Sequence, residues 1–367
     1  MLIDLKVKAG PQFYRYHEGA LDFVPELLKE YQVKRLLVVH GSVSWEKARP
    51  RLTFLDDPAQ EVFFHSYTGE CSYMGADMIK QKVEQQQIDF ILGVGGGKLA
   101  DLVGYAAHLA NIPFGVVPTL ASNCAPWTPL AVMYKENGES EGKSEHFLRQ
   151  AAFLITDPQL VIDAPISYFI AGLADTLAKW YESEAILAQP ELQNEPFLQI
   201  AGYTAKLCES AIMTQSQKAI CGIQTQEVTE EFIHLSEMIM AASGLVGGLG
   251  DKYARNAAAH AMHDAISKYL PKSHRFLHGE KVAYGIFYQL AIEEKWSTID
   301  QLLPFYQEFK LPMSLHQMAI YPEDPQIIDQ LVDFIASKEK VHLIPVSTTK
   351  ERLKQAIFDV ENYIAQC

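Results

Sequence analysis

Along the first 156 residues, short β-branched apolar runs alternate with longer stretches in which apolar residues recur every three or four positions. The short runs predict strands at Arg35–Val39, Glu61–Phe64, Ile88–Leu92, Phe114–Val117 and Ala152–Ile155. The longer stretches predict helices at Leu21–Tyr31, Ser44–Arg51, Met74–Gln86 and Lys98–Ala110. Strands separated by helices imply a parallel, helix-covered sheet. Beyond Asp157-Pro158 the pattern changes, and helical periodicity dominates at Ile170–Gln189, Gln199–Gln215, Val228–Leu245 and Lys252–Tyr269. A strand signal returns only in the short His342–Pro345 run. The chain therefore divides, on its pattern, into an α/β domain over 1–160 and an all-α domain over 161–367. The segment Glu136–Ser144, rich in Gly, Ser, Glu and Lys, reads as an exposed hairpin or loop.

The run Gly93-Val-Gly-Gly-Gly-Lys-Leu-Ala-Asp101 joins the third predicted strand to the helix after it. Adjacent glycines let backbone N–H groups approach a ligand with no side chain in the way. The helix adds its positive end, so the fitting guest is a phosphate or pyrophosphate. No Ser or Thr follows Lys98 to hold magnesium, and the glycine spacing is not G-x-G-x-x-G. An ordinary NTPase is disfavoured, and a plain tight turn stays open on this pattern alone. In a parallel sheet, ligands gather at the carboxyl ends of the strands, where Gly95–Gly97 falls.

Composition narrows the field. The 367 residues carry a net charge of −14 with no basic cluster, which argues against a nucleic-acid or anionic-membrane partner. Nothing approaches 18 consecutive apolar residues, the length a bilayer span requires. The first residues carry Asp4 and Lys6 where a signal peptide needs an apolar core. Five scattered cysteines without a CxxC fit a reducing cytoplasm better than a disulfide framework or a thiolate metal site.

Three residues of the helical half are candidates to converge on a cation. Asp175 lies in an apolar helix, where a carboxylate is costly to bury without a partner. His260 sits among small residues in Ala257-Ala-Ala-His-Ala-Met-His-Asp, and His278 opens His278-Gly-Glu-Lys. One carboxylate and two imidazoles suit Zn²⁺ or Fe²⁺ with a position left for substrate. Separations of 85 and 18 residues are no ligand motif, so hydrogen-bonded core residues remain the alternative. His263, one turn from His260, is open to a ligand, proton-relay or packing role, and of the two functional readings relay is favoured over ligand. Lys179, one turn after Asp175, either pairs with it, faces substrate or is solvated. His274 reads as loop surface.

Together these residues resemble the iron-containing alcohol dehydrogenase superfamily, in its glycerol dehydrogenase branch. The pieces that carry the resemblance are Gly95-Gly-Gly-Lys-Leu-Ala-Asp101, Pro118-Thr-Leu-Ala-Ser122, Ala171-Gly-Leu-Ala-Asp-Thr-Leu-Ala-Lys179, Ala257-Ala-Ala-His-Ala-Met-His263 and His278-Gly-Glu-Lys281. Within that branch, Asn123-Cys-Ala-Pro-Trp-Thr-Pro-Leu130, Lys179-Trp-Tyr-Glu182 and Gly244-Leu-Val-Gly-Gly-Leu-Gly-Asp251 look most like bacterial hydroxycarboxylate dehydrogenases, which reduce 2-oxo acids. The resemblance implies a Rossmann-like parallel sheet followed by a helical domain, the dehydroquinate-synthase-like architecture, in a cytoplasmic homo-oligomer acting on a small molecule. It implies a pyrophosphate loop at Gly95, Gly96, Gly97 and Lys98 with Asp101 in support. Further cofactor contacts are implied at Thr119, Ser122, Thr128, Leu130 and Tyr134, and metal ligands at Asp175, His260 and His278.

Three departures refine it. Cys124 stands where glycerol dehydrogenases carry an aspartate that touches the polyol, so 2-hydroxy or 2-oxo carboxylates compete with glycerol-like polyols as substrate. Gly41 stands where NAD-using relatives carry an aspartate for the ribose 2′-hydroxyl, and Ser42 can donate to a 2′-phosphate, which opens the site to NADP(H) as well as NAD(H). Lys179 replaces the fourth-ligand histidine of the iron enzymes, favouring a three-ligand zinc site over iron. The implied chemistry is metal-assisted hydride transfer between a nicotinamide and a CH–OH or C=O group, with His263 on the proton's route and Lys179 against a substrate carboxylate. The alternative is a dehydroquinate-synthase-like lyase using NAD and a divalent metal, and Asp175 in an apolar setting speaks against it. A binding module without chemistry is a third reading, disfavoured by the intact ligand set.

Overall fold

The structure is a computed structural model, and it describes residues 4–58, 60–321 and 324–367. Among the described residues eight strands form: β1 Tyr14–Tyr16, β2 Arg35–His40, β3 Glu61–Ser66, β4 Phe90–Gly95, β5 Phe114–Pro118, β6 Leu130–Tyr134, β7 Ser140–His146 and β8 Phe153–Thr156. Six of them make one sheet in the order β1-β8-β5-β4-β2-β3, every pairing parallel. Successive residues of a strand point to opposite faces, and the sheet has a core on each. Leu36, Val38, Phe90, Leu92 and Val94 pack with the Val24–Glu30 helix. Leu37, Val39, Ile91 and Val116 pack with the Tyr73–Gln85 and Gly97–Ala110 helices. The five strands read from the pattern are β2, β3, β4, β5 and β8, each shifted by no more than three residues at either end. Strand β1, three residues paired with β8, is too short for any periodicity to show. The Glu136–Ser144 segment lies within an antiparallel hairpin, β6–β7, whose turn places Gly138 at φ 86°.

The His342–Pro345 run is not a strand. Its first residues close a 3₁₀ helix, Glu339–Leu343, and the His342 imidazole bonds the Ala336 carbonyl and the Thr348 hydroxyl, each at 2.8 Å. Local partners thus replace a ladder.

The contacts gather the chain into two compact units. One holds the six-stranded sheet and hairpin, Lys8–Phe169, together with Gln215–Gly244. That helical segment packs there although it lies beyond residue 160. The other holds residues 4–7, Ile170–Thr214 and the described residues of Leu245–Cys367. Among the described residues one helical run, Glu230–Tyr253, is long and apolar enough to cross a membrane, which a count of consecutive apolar residues does not register. Of its apolar window 72% is buried inside the protein, as in the core helix of a globular fold.

In the helical unit, three helices come within backbone contact. A Cβ at Gly279, on the His278–Ile292 helix, would lie 1.8 Å from the Ala171 carbonyl oxygen of the Ile166–Leu187 helix. A Cβ at Gly285 would lie 2.3 Å from the Ala259 carbonyl oxygen of the Ala258–Tyr269 helix. Only glycine permits such approach. The helix expected from Lys252 begins instead at Ala258, because the backbone breaks at Ala257 (φ −140°, ψ −120°).

Candidate active site

The break at Ala257 sets the metal-binding candidates in place. Glu182, from the Ile166–Leu187 helix, accepts hydrogen bonds from the Ala257 and His260 N–H groups at 2.6 and 2.9 Å. Gln289 accepts from the N–H groups of Ala258 and Ala259. The helix start is thus capped by side chains of two other helices, not by a local Ser, Thr or Asp. The second oxygen of Glu182 lies 2.5 Å from His260 Nδ1 and turns Nε2 toward Asp175. This carboxylate–histidine arrangement fixes a ligand's tautomer and raises its basicity.

Asp175 Oδ1 lies 3.1 Å from His260 Nε2 and 3.2 Å from His278 Nε2, and the three donor atoms fall within 4.8 Å of one another. Bonds of roughly 2.0–2.2 Å at tetrahedral angles put neighbouring donor atoms about 3.4 Å apart, close to the two Asp175–histidine separations. Among the described residues it is the one group of three His, Cys, Asp or Glu donors so arranged. Burial pushes the Asp175 carboxyl up, but the adjacent His278 and His260 outweigh it and hold the group well below the usual carboxylate range. Burial likewise opposes charge on Glu182, and His260 overrides it downward. His260 is depressed by burial and raised, on balance, by Glu182.

Lys179 is buried on the same helix face and donates to the Arg255 carbonyl at 3.1 Å. Its charge reaches Asp175, Glu182 and His260. His263 has its ring 4.1 Å from that of His278, with Nδ1 3.1 Å from Asp264 Oδ1 and Nε2 3.3 Å from the Ser267 hydroxyl. Ser267 in turn accepts from Lys281 Nζ at 2.6 Å. Burial first and the His278 charge second hold His263 well below its usual value, so its ring is neutral. Burial also lowers Lys281 to about 8. His274 is exposed on a 3₁₀ turn. Sequence reasoning passed over Glu182 and Gln289. The signal for Glu182 was present, since Asp175, Lys179 and Glu182 follow an i, i+4, i+7 spacing on one face of an apolar helix.

The glycine loop lies in the other unit. Strand β4 ends at Gly95, Gly96 is extended, and Gly97 begins the Gly97–Ala110 helix. None of the three has positive φ. They are glycine for space: a Cβ at Gly97 would lie 2.3 Å from Asn123 Oδ1, and one at Gly96 would lie 3.2 Å from Leu120. Strand order reverses between β2 and β4, since β3 lies outside β2 while β5 and β8 lie beyond β4. That switch point is where open parallel sheets take their ligands. It joins the end of β4 to His40-Gly41-Ser42 after β2, where Ser42 is exposed at a helix start.

The remaining cofactor candidates follow β5 and enter the hairpin. Thr119 is buried and its N–H bonds the Gly95 carbonyl at 3.0 Å. Ser122 and Cys124 are half-buried, Thr128 donates to the Cys124 carbonyl at 3.4 Å, and Leu130 and Tyr134 bound β6. Asp101 ties this hairpin to the loop's helix, accepting from Val132 N–H at 2.9 Å, while its other oxygen is buried without a hydrogen-bond partner. Burial raises its carboxyl to about 8, against the opposing pull of Val132. The folded state therefore holds this proton more tightly than the unfolded chain does. The stability it confers is full below the ordinary carboxylate value of 3.8 and is lost as pH rises through about 8. Asp101→Asn keeps an acceptor and removes the titration. Its melting temperature relative to the parent is expected to rise by several degrees between pH 5 and pH 8.5, and an unchanged difference contradicts a neutral Asp101.

Residues 11–158 match the family model described as iron-containing alcohol dehydrogenase. Hydroxycarboxylate dehydrogenase A of Escherichia coli (strain K12) is 32% identical over 365 residues, 98% of this chain and 99% of that protein. The chain belongs to the iron-containing alcohol dehydrogenase family. A glycerol dehydrogenase of Pseudomonas putida is 30% identical over 80% of both chains. The crystal structure of a probable glycerol dehydrogenase from Sinorhizobium meliloti 1021 superposes with TM-score 0.86, covering 99% of both chains at 24% identity, which speaks to the fold. The resemblance read from the motifs is borne out, and so is the α/β-plus-helical architecture.

Proposed function

We propose that the protein is a metal-dependent NAD(P)(H) oxidoreductase that interconverts a 2-oxo acid and its 2-hydroxy acid, with zinc as the metal. Family membership supports the oxidoreductase class. The observation that carries the substrate class is a buried lysine, Lys179, one turn from Asp175 in the only three-donor cluster of the described residues. Asp175, His260 and His278 would hold the cation, with Glu182 aiming His260. When bound, the cation supplies Lewis-acid polarisation of the substrate oxygen. Hydride exchange is the chemistry that a bound nicotinamide would supply.

The chain's own residues do the rest. Lys179 offers a buried positive charge to a substrate carboxylate, an interaction much stronger there than in water. Tautomers follow from the hydrogen bonds: His263 donates from Nδ1 to Asp264, so Nε2 accepts from Ser267 and faces the Ser267–Lys281 chain. Held neutral, Nε2 can take a proton in oxidation and, once charged, return it in reduction. Gly95–Lys98 would receive the pyrophosphate. Gly41 leaves no carboxylate beside Ser42 to repel a 2′-phosphate, which supports use of NADP(H). Cys124 in place of an aspartate removes a polyol contact and argues for the acid over glycerol.

The test combines a panel with one variant. Small polyols, neutral ketones and 2-oxo acids are assayed with NADH and NADPH (or their oxidised forms) for the parent and Lys179→Met. The variant is expected to raise KM for 2-oxo acids by about 10- to 100-fold, the loss of a charge-assisted hydrogen bond, while sparing neutral ketones. Equal effects on both remove Lys179 from substrate recognition.

A further inference from the structure

Lys98, in the first turn of the Gly97–Ala110 helix, is exposed along half its side chain, yet its ammonium is not left to roam. Nζ lies 2.5 Å from Glu70 Oε2 and 5.7 Å from the centre of the Tyr134 ring. Glu70 belongs to a pinned segment. The Tyr67 hydroxyl donates to its carbonyl at 2.8 Å, and Tyr134 N–H donates to the carbonyl of buried Cys71, also at 2.8 Å. Ser72 then caps the Tyr73–Gln85 helix by accepting from Gly75 N–H. The carboxylate thus stands on rigid backbone, whereas a lysine has four side-chain torsions to order before it can meet an anion.

We infer that Glu70 is a positioning residue for the dinucleotide, holding the Lys98 ammonium over Tyr134 beside the Gly95–Gly97 loop. The inference rests on reading that loop as the pyrophosphate site. Two effects of Glu70 oppose each other, and their signs make the idea testable. As a bare negative charge near a diphosphate, Glu70 repels it, so its removal would tighten binding. As the support of Lys98 it pre-orders the cation, so its removal weakens binding. The rigid frame around Glu70 favours the second.

Dissociation constants of NADH and NADPH are measured by nicotinamide fluorescence for the full-length parent, Glu70→Gln, Lys98→Met and the double variant, with melting temperatures to establish folding. Lys98→Met is expected to weaken binding about 10- to 100-fold, the size of a charge-assisted contact. Glu70→Gln is expected to weaken it about five-fold, the size of one exposed ion pair. In the double variant the Glu70 change is expected to add no further loss, because a residue acting through Lys98 has nothing left to support. Should Lys98→Met leave binding intact, the loop reading of Lys98 fails. Should Lys98→Met weaken binding while Glu70→Gln leaves it unchanged, tightens it or adds an independent loss, the loop stands and the role of Glu70 is overturned.

Discussion

Asp175→Asn is expected to lose the bound metal and at least about 10³-fold in kcat/KM, because a cation contributes several kcal/mol of transition-state stabilisation in such sites. The substitution is nearly isosteric, so the fold is preserved while a neutral amide replaces the carboxylate donor. Asp175 is the hub of the cluster, and both imidazole Nε2 atoms contact the same oxygen. His278 and His260 keep it ionised, so the effect spans the neutral pH range. Metal content by mass spectrometry and steady-state kinetics on the same preparation check it. Full metal occupancy in an active variant would place the ion elsewhere.

Gly279→Ala has the next largest expected effect. A methyl group 1.8 Å from the Ala171 carbonyl oxygen cannot be absorbed by a side-chain rotation, since the obstacle is backbone. The two helices must separate, and the displacement falls between His278, adjacent to Gly279, and Asp175, one turn beyond Ala171. Overpacking of this kind costs about 1–3 kcal/mol or more. Metal affinity is expected to fall at least about ten-fold, as when groups that orient a ligand are disturbed. Gly202→Ala is the control. There a Cβ meets only the flexible Leu187 Cδ1 at 3.3 Å within the Pro196–Thr225 helix, and replacing a helical glycine gains up to about 1 kcal/mol. Calorimetry and metal titration of both variants separate a local clash from general sensitivity to glycine loss.

What the sequence disclosed follows the range of the interactions involved. Strands β2, β4 and β5 were legible because they are buried on both faces and read as continuous apolar runs. The glycine loop was legible because its chemistry is local, although the reason for glycine at position 97 is steric and comes from Asn123, 26 residues on. The start of the Ala258–Tyr269 helix was not legible, since its caps arrive from Glu182 and Gln289 on distant helices. Separations of 85 and 18 residues carried no ligand signal, and several motifs in the right order pointed to Asp175, His260 and His278 where spacing could not. The Glu70–Lys98 pair joins two segments through tertiary structure alone, which no periodicity records.

The central claim is that one divalent ion is held by an aspartate and two histidines of the helical unit. X-ray absorption of the zinc-loaded protein, paired with the Asp175→Asn variant, tests it most directly. A first shell of about 2.0–2.2 Å containing two imidazoles and carboxylate oxygen, lost in the variant, is the predicted result. A shell without imidazole, or one unchanged by Asp175→Asn, would contradict it.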